Sequence, residues 1–147
     1  MSDNDLLHRF VIENTRVRGE MVHLNTSWQT VLERYDYPEN VKNILGDAFA
    51  ACALLSATIK YDGSLILQIR GDGPLHLLVV QATSDGTLRG LARWKGEVPA
   101  EGLNEIFGNG QMVMTIEPPK GEPYQGIIGL QGTHIKDAIE NYFTQSE

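Results

Sequence analysis

Residues 48–55 (Ala48, Phe49, Ala50, Ala51, Cys52, Ala53, Leu54 and Leu55) form an unbroken apolar run. The surrounding pattern predicts one helix over 41–59, opened by Pro38, whose missing N–H costs nothing in a first turn. A helix that is apolar nearly all round has no wet face. It is expected to lie buried between two layers of other structure. The run is far too short to span a bilayer, so the membrane is not its partner.

Strand-like segments supply those layers. Residues 6–13 alternate Leu6, His8, Phe10 and Ile12 against Leu7, Arg9, Val11 and Glu13. A second run over 16–24 follows Asn14-Thr15, and the two read as an antiparallel ribbon. Thr26 then opens a short helix, with Gln29 placed to complete a capping box. Trp28, Val31, Leu32 and Tyr35 share one face of it. After the long helix, Asp62-Gly63 turns the chain into strands at 64–70 and 75–83. Asp85-Gly86 is a hairpin signal that pairs 75–83 with 87–95. A short helix is expected at 103–107.

Residues 108–130 are constrained in another way. Strand-like runs at 112–117 and 124–130 flank Pro118, Pro119, Gly121 and Pro123, which force a turn. Met112, Met114 and Ile116 alternate with Val113 and Thr115, so one face is wholly apolar and the other mostly so. Gly132-Thr133 starts a final helix carrying Ile135, Ala138, Ile139 and Tyr142 on one side. The order of sheet, helices, sheet and helix defines an α+β fold: antiparallel sheets around a long buried apolar helix, with short flanking helices. No repeat, low-complexity tract or linker divides the chain, and 147 residues suffice for one domain with a real core.

Charge narrows the function classes. Twelve basic and nineteen acidic residues leave a net charge of −7, a poor basis for condensing on phosphate backbones. Nucleic acid is therefore not expected as a partner. Arg70, Arg89, Arg93 and Lys95 lie close in sequence and read as solvated strand ends. The polar, acidic start Met1-Ser2-Asp3-Asn4-Asp5 is the opposite of a secretory leader. One cysteine excludes an internal disulfide and agrees with a reducing compartment. A cytoplasmic location is expected.

No constellation builds catalytic chemistry. Gly71-Asp72-Gly73-Pro74 lacks the Lys and Ser/Thr of a phosphate-binding loop and reads as a tight strand connection. His8, His23, His76 and His134 are scattered over four elements, without metal-ligand spacing. Cys52 sits among alanines and leucines, where nothing favours a thiolate, and reads as an inert core residue. Glu97, Glu101, Glu105, Glu117 and Glu122 read as solvated charges. No catalytic residue, metal ligand or cofactor is assigned, and the chain does not read as an enzyme.

The apolar strands invite a binding role. Leu65, Leu67 and Ile69 share a face, and 75–83 is apolar on both sides, with Leu75, Leu77 and Val79 opposed to His76, Leu78 and Val80. Helices covering both faces would make this plain core. A face only transiently covered would instead bind other polypeptides, and thioethers suit such a surface because they repack against varied partners. Leu65, Leu67, Met112, Met114 and Ile116 are the contact candidates.

Ordered short motifs carry a resemblance that covers the chain from about Leu6 to its last residue. They are Val17-Arg18-Gly19-Glu20, Tyr37-Pro38 with Val41-Lys42-Asn43, and Ala57-Thr58 with Lys60 and Asp62-Gly63. Gln68 before Gly71-Asp72-Gly73-Pro74, Arg89-Gly90 with Ala92-Arg93, and the 108–130 stretch complete the set. Together these resemble the thirty-three-kilodalton heat-shock protein family, the bacterial redox-regulated holdase chaperones. The resemblance implies an N-terminal domain that binds unfolding client proteins without ATP under oxidative and heat stress, and that forms a homodimer. It also implies a separate C-terminal domain holding zinc through Cys-x-Cys and Cys-x-x-Cys pairs, whose oxidation frees apolar surface. None of those four cysteines is present here, and Cys52 is not one of them. The expectation is a client-binding domain truncated before its natural end, with zinc and redox switching left to the absent part. Two other readings stay open: an interaction module for self-association or for docking the missing half, and a small-molecule enzyme with a cleft near residues 71–74.

Overall fold

The computed structural model describes residues 5–58 and 63–146 of the chain. Leu6–Val11 (β1) and Arg18–His23 (β2) pair antiparallel as a separate two-stranded sheet. Phe10 lies over Gly19, where any Cβ would collide with its ring. This ribbon leaves Phe10, Val11, Ile12, Val17 and Met21 exposed.

The helix Thr26–Arg34 (α1) follows, but not with the expected cap. Neither Asn25 nor a Thr26–Gln29 pair closes its first turn through a side chain. The Asp5 carboxylate does so from outside the helix. It accepts from the Asn25 N–H at 2.7 Å, from the Ser27 N–H at 3.3 Å and from the Ser27 hydroxyl. A full negative charge at the positive helix end outcompetes a neutral reciprocal pair. Tyr35, expected on the buried face, is instead the extended residue that ends α1. It is 56% exposed.

The long helix spans Glu39–Thr58 (α2); the expected last turn, at Ile59, lies outside the described residues. Val41, Ile44, Leu45, Ala48, Phe49, Cys52 and Ala53 are buried, a stripe at helical spacing. Ala50, Ala51, Leu54 and Leu55 are half-buried, and Asn43 and Asp47 are exposed. Burial all round, as expected from composition, is not found: α2 is buried along one stripe. It touches three strands of the larger sheet, β2 and the last helix.

Five antiparallel strands form that sheet. Ser64–Arg70 (β3), Leu75–Thr83 (β4) and Leu88–Trp94 (β5) run in sequence. Asp85-Gly86 makes the expected hairpin turn, with Gly86 at φ 87°. After the short helix Leu103–Phe107 (α3), Gln111–Glu117 (β6) returns to pair with β3, and Tyr124–Ile128 (β7) adds to β6. The order is β5-β4-β3-β6-β7, so the oldest strand of the set lies in the middle. Ile135–Ser146 (α4) closes the described chain, with Ile135 and Ala138 in the core.

Register assigns each strand residue to a face. Leu65, Leu67 and Ile69 pair with Ala82, Val80 and Leu78 on one side and with Ile116, Met114 and Met112 on the other. All of these except the half-buried Ile116 are fully buried, on the side covered by α2. A β-bulge between Leu75 and Leu77 corrects the expected alternation of β4. Leu75 is buried with Leu78 and Val80, whereas Leu77 and Val79 turn to the opposite face. The extra residue, His76, is absorbed by the bulge and is exposed.

Candidate functional site

Among the described residues, no helix buries the second face of the five-stranded sheet. None of its strand residues is buried. Its central row crosses all five strands in register: Leu91, Val79, Gln68, Val113 and Ile127. Four of those five positions are apolar, and Ile127 is 63% exposed. Leu77 and Ile66 extend the apolar surface above and below this row. Polar residues surround it: Gln81, Thr115 and Gln125 on one side and Arg70, Arg93 and Gln111 on the other.

The expected contact residues are elsewhere. Leu65, Leu67, Met112, Met114 and Ile116 all lie on the covered face, where Leu65 pairs with Ile116 and Leu67 with Met114. Met112 is 0% exposed and Met114 6%. In this conformation the first four are core and Ile116 packs half-buried against them, with α2 lying over β3. The residues that do face outward, Val79, Leu91, Val113 and Ile127, were missed as a group. Their signal was present in the apolar character of both faces of 75–83 and of 112–117, but sequence alone does not say which face a helix covers.

The remaining candidates resolve locally. The Gly71 and Gly73 N–H groups donate to the His76 and Phe107 carbonyls, at 3.2 and 2.8 Å. Those two N–H groups are therefore not free to cradle a phosphate. Asp72 accepts from the Asn109 N–H at 2.7 Å and docks the loop onto the end of α3. Gly71 and Gly73 pack so tightly on the Phe107 backbone that a Cβ at either would clash. Among the described residues, no group of three His, Cys, Asp or Glu side chains could hold a metal ion.

Cys52 is fully buried, with its thiol 3.6 Å from the Leu65 carbonyl. Burial pushes the thiol up to about 12. A protonated, enclosed thiol is neither a nucleophile nor a zinc ligand. These residues do not fit a zinc site.

Two concavities lie off the sheet face. An open basin of about 560 Å³ is lined by Gly63, Ser64, Ser84, Asp85, Glu117 and Pro118. Asp85 is held below the usual carboxylate range by hydrogen bonds from Thr83 and Thr87. A cleft of about 170 Å³ lies between α2, α3 and α4, against Ile44, Asp47, Leu103, Ile106 and His134. Burial raises the Asp47 carboxyl, and the nearby His134 and Lys136 partly offset this. His134 stands 3.8 Å from Glu101 and 3.9 Å from Asp137. The cleft is small. Among the described residues, no helix is long and apolar enough to cross a membrane.

Comparison with known proteins follows the same lines. A protein-family model described as Hsp33 protein matches residues 5–147. Proteins named 33 kDa chaperonin match over the whole chain: at 51% identity in Nitrosococcus oceani, 47% in Proteus mirabilis and 44% in Escherichia coli. The chain spans about half the length of these relatives (51%, 50% and 51% of each). The crystal structure of a 33 kDa chaperonin from Thermotoga maritima superposes with a TM-score of 0.81 at 21% identity. That match covers 97% of this chain and 51% of the other, and shows a shared fold.

Proposed function

The chain belongs to the Hsp33 family, and from that premise we propose that it is the client-binding domain of an ATP-independent holdase chaperone. The observation that carries this reading is the uncovered sheet face, with its apolar row from Leu91 to Ile127. A contiguous apolar row without a covering element is the kind of surface that serves interaction. Apolar stretches of an unfolding protein would leave water against it, each 100 Å² contributing about 2.5 kcal/mol. Ordering a flexible client offsets much of that gain, which gives broad and modest affinity. No covalent step or nucleotide is needed. The net charge of −7 would keep the loaded complex soluble through repulsion between complexes.

The client surface assigned here is the outer row and not the buried set first expected. In this reading the chain is cytoplasmic and works as a homodimer. Zinc and the disulfide switch belong to the part of the longer relatives that these 147 residues do not span. That part would cover apolar surface until oxidation releases it.

The test is light scattering from a heat-unfolded client, in reducing buffer without ATP. Suppression of aggregation at an equimolar ratio is expected. A folded chain that leaves aggregation unchanged would overturn the reading.

A second reading is favoured by a different surface. The β1–β2 ribbon exposes Phe10, Val11 and Met21, and α2 leaves Ala50, Ala51 and Leu54 half-buried. These would serve self-association or docking of the rest of a longer chain. A dimer by sedimentation that ignores unfolded clients would select this alternative.

A further inference from the structure

The uncovered face is not uniformly neutral. Arg93 on β5 and Arg70 on β3 both register with Leu77 of β4, so the two arginines flank one leucine in a single row. Arg89 stands on the same face of β5, four residues from Arg93, with Leu91 between them. All three arginines are exposed. Among the described residues none of the three makes an ion pair or a side-chain hydrogen bond. The one carboxylate among the described strand residues of this face is Glu117, which registers with Ser64 at the far end of β3. A chain with a net charge of −7 thus keeps, among its described residues, three guanidinium groups without an ion-pair partner around Leu77, Val79 and Leu91.

Strand geometry sets the spacing. Arg93 and Arg70 are two strands apart, about 10 Å, and Arg89 and Arg93 are about 14 Å apart along β5. An extended segment laid over the face presents every second side chain to it. Its residues i and i+4 are also about 14 Å apart, with i+2 between them. A carboxylate at each end and an apolar side chain in the middle would meet Arg89, Arg93 and Leu91 together. Arginine favours such contacts because its planar fork can bind a carboxylate through two hydrogen bonds.

We infer that the arginine-rimmed half of this face selects polypeptide segments of the form acid–x–apolar–x–acid. The inference rests on the client-face reading and names the class of client that the face prefers. A second copy packed face to face would set arginine against arginine, which disfavours self-association here. A single-stranded nucleic acid fits less well, because these face positions carry no aromatic ring for base stacking and the whole chain is acidic.

The experiment uses the 147-residue chain and three fluorescent peptides with one apolar centre, flanked at both i and i+4 by aspartate, serine or lysine. Binding is read by anisotropy at low and at high salt. The aspartate peptide is expected to bind about tenfold more tightly than the lysine peptide at low salt, the gap narrowing as salt rises. The double variant Arg70→Gln/Arg93→Gln should shrink that gap severalfold, while Arg93→Lys alone keeps most of it. Equal binding of all three peptides, lost on Leu77→Ser/Leu91→Ser, would overturn the charge preference and leave the client face standing. Binding of none of them, or binding indifferent to the leucine change, would remove the client face as well. Displacement of the aspartate peptide by a single-stranded oligonucleotide at lower concentration than by an acidic peptide would overturn the inference in favour of a phosphate ligand.

Discussion

The two faces of the five-stranded sheet are built from the same kinds of residue and do opposite things. On one, Leu67, Val80 and Met114 stand in register and are buried in the core that α2 helps to close. On the other, Val79, Val113 and Ile127 stand in register and meet water. Hydropathy does not separate them. What separates them is which face the long helix lies across, and the bulge at His76 that sends Leu75 to one face and Leu77 to the other. Apolar content therefore marks a sheet surface as able to bury something, and tertiary packing decides whether the occupant is the protein's own helix.

Single substitutions can break this contrast. Leu67→Ala or Met112→Ala on the sealed face should cost about 2–5 kcal/mol in urea unfolding, because each leaves a cavity in the core. An effect on either as small as on an outer residue would show that α2 does not hold this face closed. Cys52, on the sealed side, sharpens the comparison through pH. Its folded thiol is raised, so the unfolded chain ionises first. Stability contributed by the neutral thiol is present below about pH 9 and falls as pH rises toward about 12. Urea midpoints for the chain and for Cys52→Ala should converge with rising pH; parallel curves would place the thiol in water.

Smaller effects probe the sheet's margin and its wet side. Gly126→Ala sets a methyl against the Tyr142 hydroxyl, 2.6 Å away in the present geometry. That end of a flexible side chain can move, so a loss near 1 kcal/mol is expected, about the typical cost of a single substitution. A loss as large as that of Leu67→Ala would mean that α4 is held rigidly against β7. Val79→Thr and Leu91→Thr on the open face should stay within about 0.5 kcal/mol, as surface substitutions do. The same pair should lower client protection in the scattering assay severalfold. A loss of stability without loss of protection would reverse the roles of the two faces.

Much of the architecture was readable before any coordinates. The strands at 64–70 and 75–83 and the short helix at 103–107 match the observed elements residue for residue. These segments have strong local signals: alternation, the Asp85-Gly86 turn and the Gly-Pro connection. Local signals failed where a distant group intervened. The Thr26–Gln29 cap gave way to Asp5, a residue twenty-two positions before Ser27. The burial of the contact candidates was illegible for a related reason. Met112 and Met114 are as apolar and adaptable as any docking surface requires, yet the return of β6 to β3 buries them beside Ile69 and Leu67.

The sequence by itself determined the elements, the α+β class and membership of a family, because periodicity, turn residues and ordered motifs are properties of neighbouring positions. Only the tertiary structure decided the order β5-β4-β3-β6-β7, the face that α2 covers and the three arginines gathered around Leu77 and Leu91. Those are properties of residues far apart in the chain. Strand alternation gives every sheet two faces, and which one meets water is settled by where the helices find the larger area to bury.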